Sequence, residues 1–185
     1  VNVVALGVLG ADGESFELKR ALRAIGADTE LLVERPDRFT PTYTKPMMRE
    51  GSGVIHELNR LDIKNRTPLP GDVEDTLIAQ LRDALPRVHA VVIADQVSEA
   101  DCGVITGRMR AELCALARAH PDKVFAADSR EHIGLFEDVI LKPNAREAVR
   151  AVVNEGDPAD RELVERCGLA LAARTRRPVF VTVGA

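Results

Sequence analysis

Four short apolar runs, each closing on a polar or glycine cluster, constrain the fold of this chain more than any other feature. Residues 90–94 run into Asp95, and residues 123–127 into Asp128-Ser129-Arg130. Residues 138–141 run into Lys142-Pro143-Asn144, and residues 178–181 into Thr182-Val183-Gly184. β-Branched runs separated by helical patterns read as buried parallel strands. In open α/β sheets, ligands bind beyond the carboxyl ends of such strands. The carboxylates, amide, basic side chains and glycine at these ends therefore converge on one crevice, with a chemistry suited to a phosphorylated or nucleotide ligand.

Periodicity extends this α/β reading along the chain. Residues 2–8 form a strand, and residues 12–25 a helix with Leu18, Ala21, Leu22 and Ile25 on one face. Asp12 suits the N-cap, Glu14 the first turn, and Gly26 the stop. A short strand follows at 31–33. The texture then changes: Thr40–Lys45 is rich in β-formers, Pro46 interrupts it, and Gly51-Ser52-Gly53 signals a turn. Leu58, Leu61 and Ile63 continue the pattern, and the prolines confine these strands to edges. We read a small antiparallel flap here. Beyond the connector 66–72, helices are predicted at 73–85, 104–119, 145–153 and 158–173, with strands at 90–94, 123–127, 138–141 and 178–183. The domain reading is an α/β core at 1–28 and 65–185, and a β flap or lid at 29–64.

Composition removes several function classes. The 185 residues carry a net charge of −4 and no basic stripe, with no Trp, one Tyr and five Phe. Nucleic acid is therefore not an expected partner. No apolar run approaches the roughly 18 residues of a membrane span, so no membrane is expected. Cys102, Cys114 and Cys167 are far apart and form no CxxC, which reads as reduced structural thiols in a cytoplasmic protein. The chain begins at Val1 directly before an apolar run and stops at Ala185 just after one, so a piece of a longer polypeptide is expected.

Individual motifs leave alternatives open. Gly7, Gly10 and Gly13 have G-x-x-G-x-x-G spacing, not the G-x-G-x-x-G of a dinucleotide loop, and read as a tight strand-to-helix turn. A nicotinamide oxidoreductase would rest on these glycines alone. Asn144 with Glu147 is either a helix capping box or a holder of a hydrated cation or phosphate. Asp128 and Arg130 form either a phosphate contact or a surface turn, and Asp95 has the same two readings. Lys45 and Asp62 are either sugar-facing or solvated flap charges. None of His56, His89, His120 and His132 receives a catalytic role.

Taken in order, these segments resemble the ribokinase-like (PfkB) carbohydrate kinases. Gly10-Ala11-Asp12 with Gly26-Ala27-Asp28-Thr29 resembles the family's G-x-D and G-V-D-T segments. Residues 40–45 with Arg60-Leu61-Asp62 are similar to the flap of the heptose-phosphate kinase branch. Asp128-Ser129-Arg130, then Leu141-Lys142-Pro143-Asn144 with Glu147, resembles that branch's D-P-K and P-N-x-x-E. Thr182-Val183-Gly184 resembles the start of a T-x-G-x-x-G nucleotide loop. The resemblance implies a mostly parallel ribokinase-like sheet flanked by helices, and Mg²⁺-dependent transfer of the ATP γ-phosphoryl group to a hydroxyl of a sugar or sugar phosphate. It implies nucleotide contacts for Arg130, Asn144, Glu147, Thr182 and Gly184. Glu147 and Asn144 would hold Mg²⁺ through water. Lys45 and Asp95 would face the sugar, and a homodimer would form through the flap. The chain departs from the pattern at Ser15, where a glycine is usual, and at Asp95-Gln96-Val97-Ser98-Glu99, which lacks the branch's D-Y-x-K-G. It also contains no G-A-G-D, the segment that carries the general base. The 185 residues are therefore expected to be inactive alone, and a non-catalytic nucleotide- or sugar-binding module is the alternative.

Overall fold

A computed structural model describes residues 1–184. It divides into two units, residues 1–80 and residues 81–185. In the first unit, β1 (Val4–Gly10) leads through α1 (Gly13–Ala24) into β2 (Asp28–Arg35), and the two strands pair in parallel from Val4↔Asp28 to Gly10↔Arg35. Asp12 caps α1 as its sequence position demands, accepting from the Ser15 N–H at 2.9 Å, and Gly26 follows the helix end. The turn into α1 is tight: a Cβ on Gly10 would lie 2.6 Å from the Arg38 carbonyl and 2.8 Å from the Thr40 nitrogen, so a larger residue cannot stand there without displacing backbone.

The short strand expected at 31–33 is longer: residues 28–35 pair in parallel with β1, and the antiparallel flap strands begin at Thr42. Only Leu31–Val33 carries the apolar signal, but main-chain pairing carries the strand through polar Glu34 and Arg35. The flap consists of two antiparallel pairs. β3 (Thr42–Thr44) pairs with β6 (Leu61–Ile63), and β4 (Met47–Arg49) with β5 (Ile55–Glu57). Its apolar side chains are open to solvent, among them Tyr43, Met47, Met48, Ile55 and Leu61. Helix α2 (Gly71–Ala84) runs across the division between the units.

The second unit holds a three-stranded parallel sheet in the order β7 (Ala90–Asp95), β8 (Val124–Ser129), β9 (Ile140–Leu141). Helix α3 (Gly107–Ala119) connects the first two strands. After β9 come α4 (Ala145–Val153) and α5 (Arg161–Thr175). Phe136, Val139, Leu141, Ala148 and Leu171 are essentially inaccessible and form the core of this unit with Met109, Leu113 and Phe125. Thr175, at the end of α5, accepts from the Val139 N–H at 3.1 Å and donates to the Val139 carbonyl at 2.5 Å. A buried hydroxyl so satisfied ties the helix end to the start of β9.

The expected strand at 178–183 is reduced to two isolated parallel bridges, Leu141↔Val179 and Asn144↔Thr182. Pro178 has no N–H to give, and the segment's ladder bonds come from Phe180 and Thr182, which donate to Leu141 and Pro143. On the α5 side, Val179, Val181 and Val183 line an apolar groove of about 600 Å³ with Gly168, Leu169 and Ala172.

Candidate functional site

Lateral order in the second unit's sheet brings the polar strand ends together. β7 and β8 are in register to their tips, where Asp95 pairs with Ser129. Past β9, the Lys142 N–H donates to the Ala127 carbonyl at 2.9 Å, which sets Lys142 beside the tip of β8. Its ammonium reaches Asp128 at 2.9 Å. That bond and its charge hold Lys142 above the usual lysine range, with Glu147 adding to the effect. Beyond Lys142, Asn144 bridges to Thr182: the Thr182 N–H donates to Pro143 and the Ala145 N–H donates to Thr182, each at 3.0 Å. One end of the sheet therefore carries, in sequence across it, Asp95, Asp128 to Arg130, Lys142 to Asn144, and Thr182.

Asn144 opens α4 with a full capping box. It accepts from the Glu147 N–H at 2.9 Å, and Glu147 returns a carboxylate oxygen to the Asn144 N–H at 2.8 Å. The capping box is therefore present in the structure. It leaves the second Glu147 oxygen without a partner among the described residues. A cation that keeps its water shell could be held there, whereas a dedicated cage could not: among the described residues no three His, Cys, Asp or Glu side chains gather as a metal site.

Arg130 is exposed. Its N–H donates to the Asp95 carbonyl at 3.0 Å and its carbonyl accepts from Arg150 of α4. The guanidinium itself takes part in no ion pair among the described residues. Gly184 stands two residues past Thr182 at φ 76°, the left-handed conformation that favours glycine after a strand-like segment.

Asp95 stands at the tip of β7 with its carboxylate engaged within the protein. The residue is 4% exposed, its carboxylate accepts from Ser129 Oγ at 2.7 Å, and it lies 3.3 Å from His132 Nδ1. Buried carboxylates need such partners. Asp95 thus binds its own neighbours, Ser129 and His132. Lys45 lies in the first unit, exposed, and meets Glu57 at 3.2 Å, while Asp62 pairs with Arg60 at 2.7 Å. Within that unit both are solvated charges. Asp12 is also fully engaged, accepting from Ser15 and from the Thr40 N–H and hydroxyl. Burial opposes its ionisation, but these hydrogen bonds hold the carboxyl below the ordinary range.

Two contributors were missed in the sequence. Lys142 stood in a strand-end cluster one residue past an apolar run, but its pairing with Asp128 had no local signal. His132 gave none, because its contact with Asp95 depends on which strand lies beside β8. The apolar groove on α5 is lined by valines, Leu169 and Ala172, with Arg161 and Glu165 at its rim, so its chemistry does not suit phosphate.

No family model matches this chain. It is similar to the bifunctional protein HldE of Wolinella succinogenes, 24% identical over 151 residues, covering 81% of this chain and 30% of that protein. It is similar to the HldE of Trichlorobacter lovleyi at 25% over 158 residues, with the same coverage of 81% and 30%. The chain thus spans about 30% of the length of the curated relatives it matches. Among solved structures, ribokinase from Giardia lamblia aligns with a TM-score of 0.62 at 14% identity, over 98% of this chain and 52% of that one. A protein described as ribokinase II from E. coli, in complex with ATP and Mg²⁺, aligns with a TM-score of 0.61 at 14% identity, over 100% of this chain and 57% of that one. At such identities the structural likeness establishes the fold.

Proposed function

From the premise that this chain has the ribokinase-like carbohydrate kinase fold, we propose that its second unit carries the phosphoryl-donor side of an ATP-dependent sugar or sugar-phosphate kinase. One observation supports the reading above the others. Asn144, Glu147, Thr182 and the basic residues Arg130 and Lys142 meet at the carboxyl end of one parallel sheet, where such folds bind their ligands.

Phosphoryl transfer depends on positioning and charge neutralisation more than on covalent chemistry. The arrangement suits it. Arg130 directs a free guanidinium outward from a fixed loop, and Lys142 holds a second cation on Asp128, from which a phosphate can draw it. Thr182, whose carbonyl accepts from the Ala145 N–H at the start of α4, and Gly184 would lie against the nucleotide. The free Glu147 oxygen and Asn144 orient water toward a hydrated Mg²⁺, which supplies charge neutralisation on the phosphates when bound. Lys45 belongs to the flap and is assigned to the sugar side. The exposed apolar edge strands of the flap suit pairing with a second copy. A cytoplasmic setting agrees with Cys102, Cys114 and Cys167 forming no disulfide among the described residues.

The 185 residues hold no G-A-G-D segment. Deprotonating the acceptor hydroxyl requires a base, so negligible turnover is expected of this chain alone, and a nucleotide- or sugar-binding module is the competing reading. The test is a phosphoryl-transfer assay with Mg–ATP and a panel of sugars and sugar phosphates, run on this chain and on a full-length kinase that contains it. Transfer only by the longer protein supports the proposal. Equal rates overturn the expected inactivity. No transfer by either, with nucleotide still bound, favours the binding module.

A further inference from the structure

The loop after β8 is fastened at nearly every residue, and one side chain is left out. Ser129 is fully buried and donates to Asp95 at 2.7 Å, while its oxygen accepts from the His132 N–H at 3.0 Å. The His132 ring comes to 3.3 Å from the same Asp95 oxygen. The Arg130 N–H is held by the Asp95 carbonyl at 3.0 Å, and the Arg130 carbonyl by Arg150 of α4. Arg150 also pairs with Glu131 at 2.9 Å, and Arg174 of α5 donates to the Gly134 carbonyl at 3.0 Å. Among residues 129–132, only the Arg130 side chain projects without a partner.

Serine, histidine and aspartate in one cluster invite a hydrolytic reading, and the geometry rejects it. A triad needs its serine hydroxyl on the imidazole and open to substrate. Here Ser129 donates to the carboxylate and has no exposed surface. A buried carboxylate that spends one oxygen on two residues of the neighbouring strand's loop has geometry as its product.

We infer that buried Asp95 and Ser129, with the half-buried His132, form a clamp that positions the Arg130 guanidinium at the phosphate site. The inference rests on the phosphate role proposed above for Arg130. Asp95 is then a positioning residue of the next strand, reached through the β7–β8 register and not through ligand.

The test is calorimetric titration of this chain with Mg–ATP and, separately, with adenosine, which presents the base and ribose without phosphate. Wild type, Arg130→Ala, Asp95→Asn and the double variant are compared. Arg130→Ala weakens Mg–ATP by about tenfold, the scale of a charged hydrogen bond, and leaves adenosine unchanged. Asp95→Asn weakens Mg–ATP by about threefold or more, again without effect on adenosine, and the double variant is no weaker than Arg130→Ala alone. If Asp95→Asn does not fold, Ser129→Ala removes the clamp's hydroxyl with a smaller perturbation and is held to the same pattern. Additive losses, or equal losses on both ligands, overturn the clamp while leaving the nucleotide reading intact. Wild type that binds Mg–ATP with Arg130→Ala unchanged overturns the clamp and the role of Arg130. Wild type that binds no Mg–ATP overturns the phosphate reading, and the inference with it.

Discussion

The flap and the strand tips use the same residue types to opposite ends. In the flap, Lys45 meets Glu57 with both side chains about half exposed, and Arg60 meets Asp62 two residues along while lying over the Tyr43 ring at 5.1 Å. Such pairs gain little, because water screens them and the side chains lose freedom in forming them. At the strand tips, Asp95 is sealed beneath its loop and joins two strands through Ser129. A carboxylate in the flap marks surface, whereas a carboxylate at the end of a buried strand fixes backbone. The flap can therefore exchange its charges freely, and the tips cannot.

The sharpest way to break this comparison is through the cores. Phe136 is wholly buried in the second unit, and Phe136→Ala is expected to cost about 3–5 kcal/mol. Leu61→Ala in the flap, where the side chain is 62% exposed, is expected to change stability by less than about 0.5 kcal/mol. Urea unfolding of both variants checks this, and similar losses would erase the distinction. Next in size is Asp95→Ala. It strands the Ser129 hydroxyl and is expected to cost about 1–3 kcal/mol by the same assay, against no measurable change for Asp62→Ala.

Asn144→Ala removes the capping box of α4 and is expected to cost about 1 kcal/mol, read as a lower unfolding midpoint. The smallest effect is a dependence on pH. The Asp12 carboxyl is held below its ordinary range in the folded chain despite burial, through hydrogen bonds from Thr40 and Ser15. Its contribution is therefore complete above the unfolded carboxylate range and is lost as pH falls through the lower folded value. Asp12→Asn should flatten the acid limb of the stability profile, and an unchanged limb would remove Asp12 from the account.

What the sequence made legible follows from how local each feature is. The caps at Asp12 and Asn144 each depend on four consecutive residues, so both sites were readable, as were α1, α4 and the strands β7 and β8. β2 was read short because its ends are polar and are held by pairing with β1, which no local pattern records. The segment 178–183 was read as a full strand because it is a short apolar, β-branched run, yet among the described residues it makes two isolated bridges. The site divides in the same way. Asn144, Glu147 and Thr182 follow from motif order. The burial of Asp95, its contact with His132, and the Lys142–Asp128 pair arise from which strands lie side by side.

The central claim, that the strand tips of the second unit form a triphosphate pocket, is tested most directly by following the backbone amide resonances of this chain during titration with Mg–ATP. The account predicts that shifts concentrate at 128–130, 142–147 and 182–184 and spare β3 to β6. Shifts centred on the glycine turn at 7–13, or no response at the tips at saturating nucleotide, would contradict it.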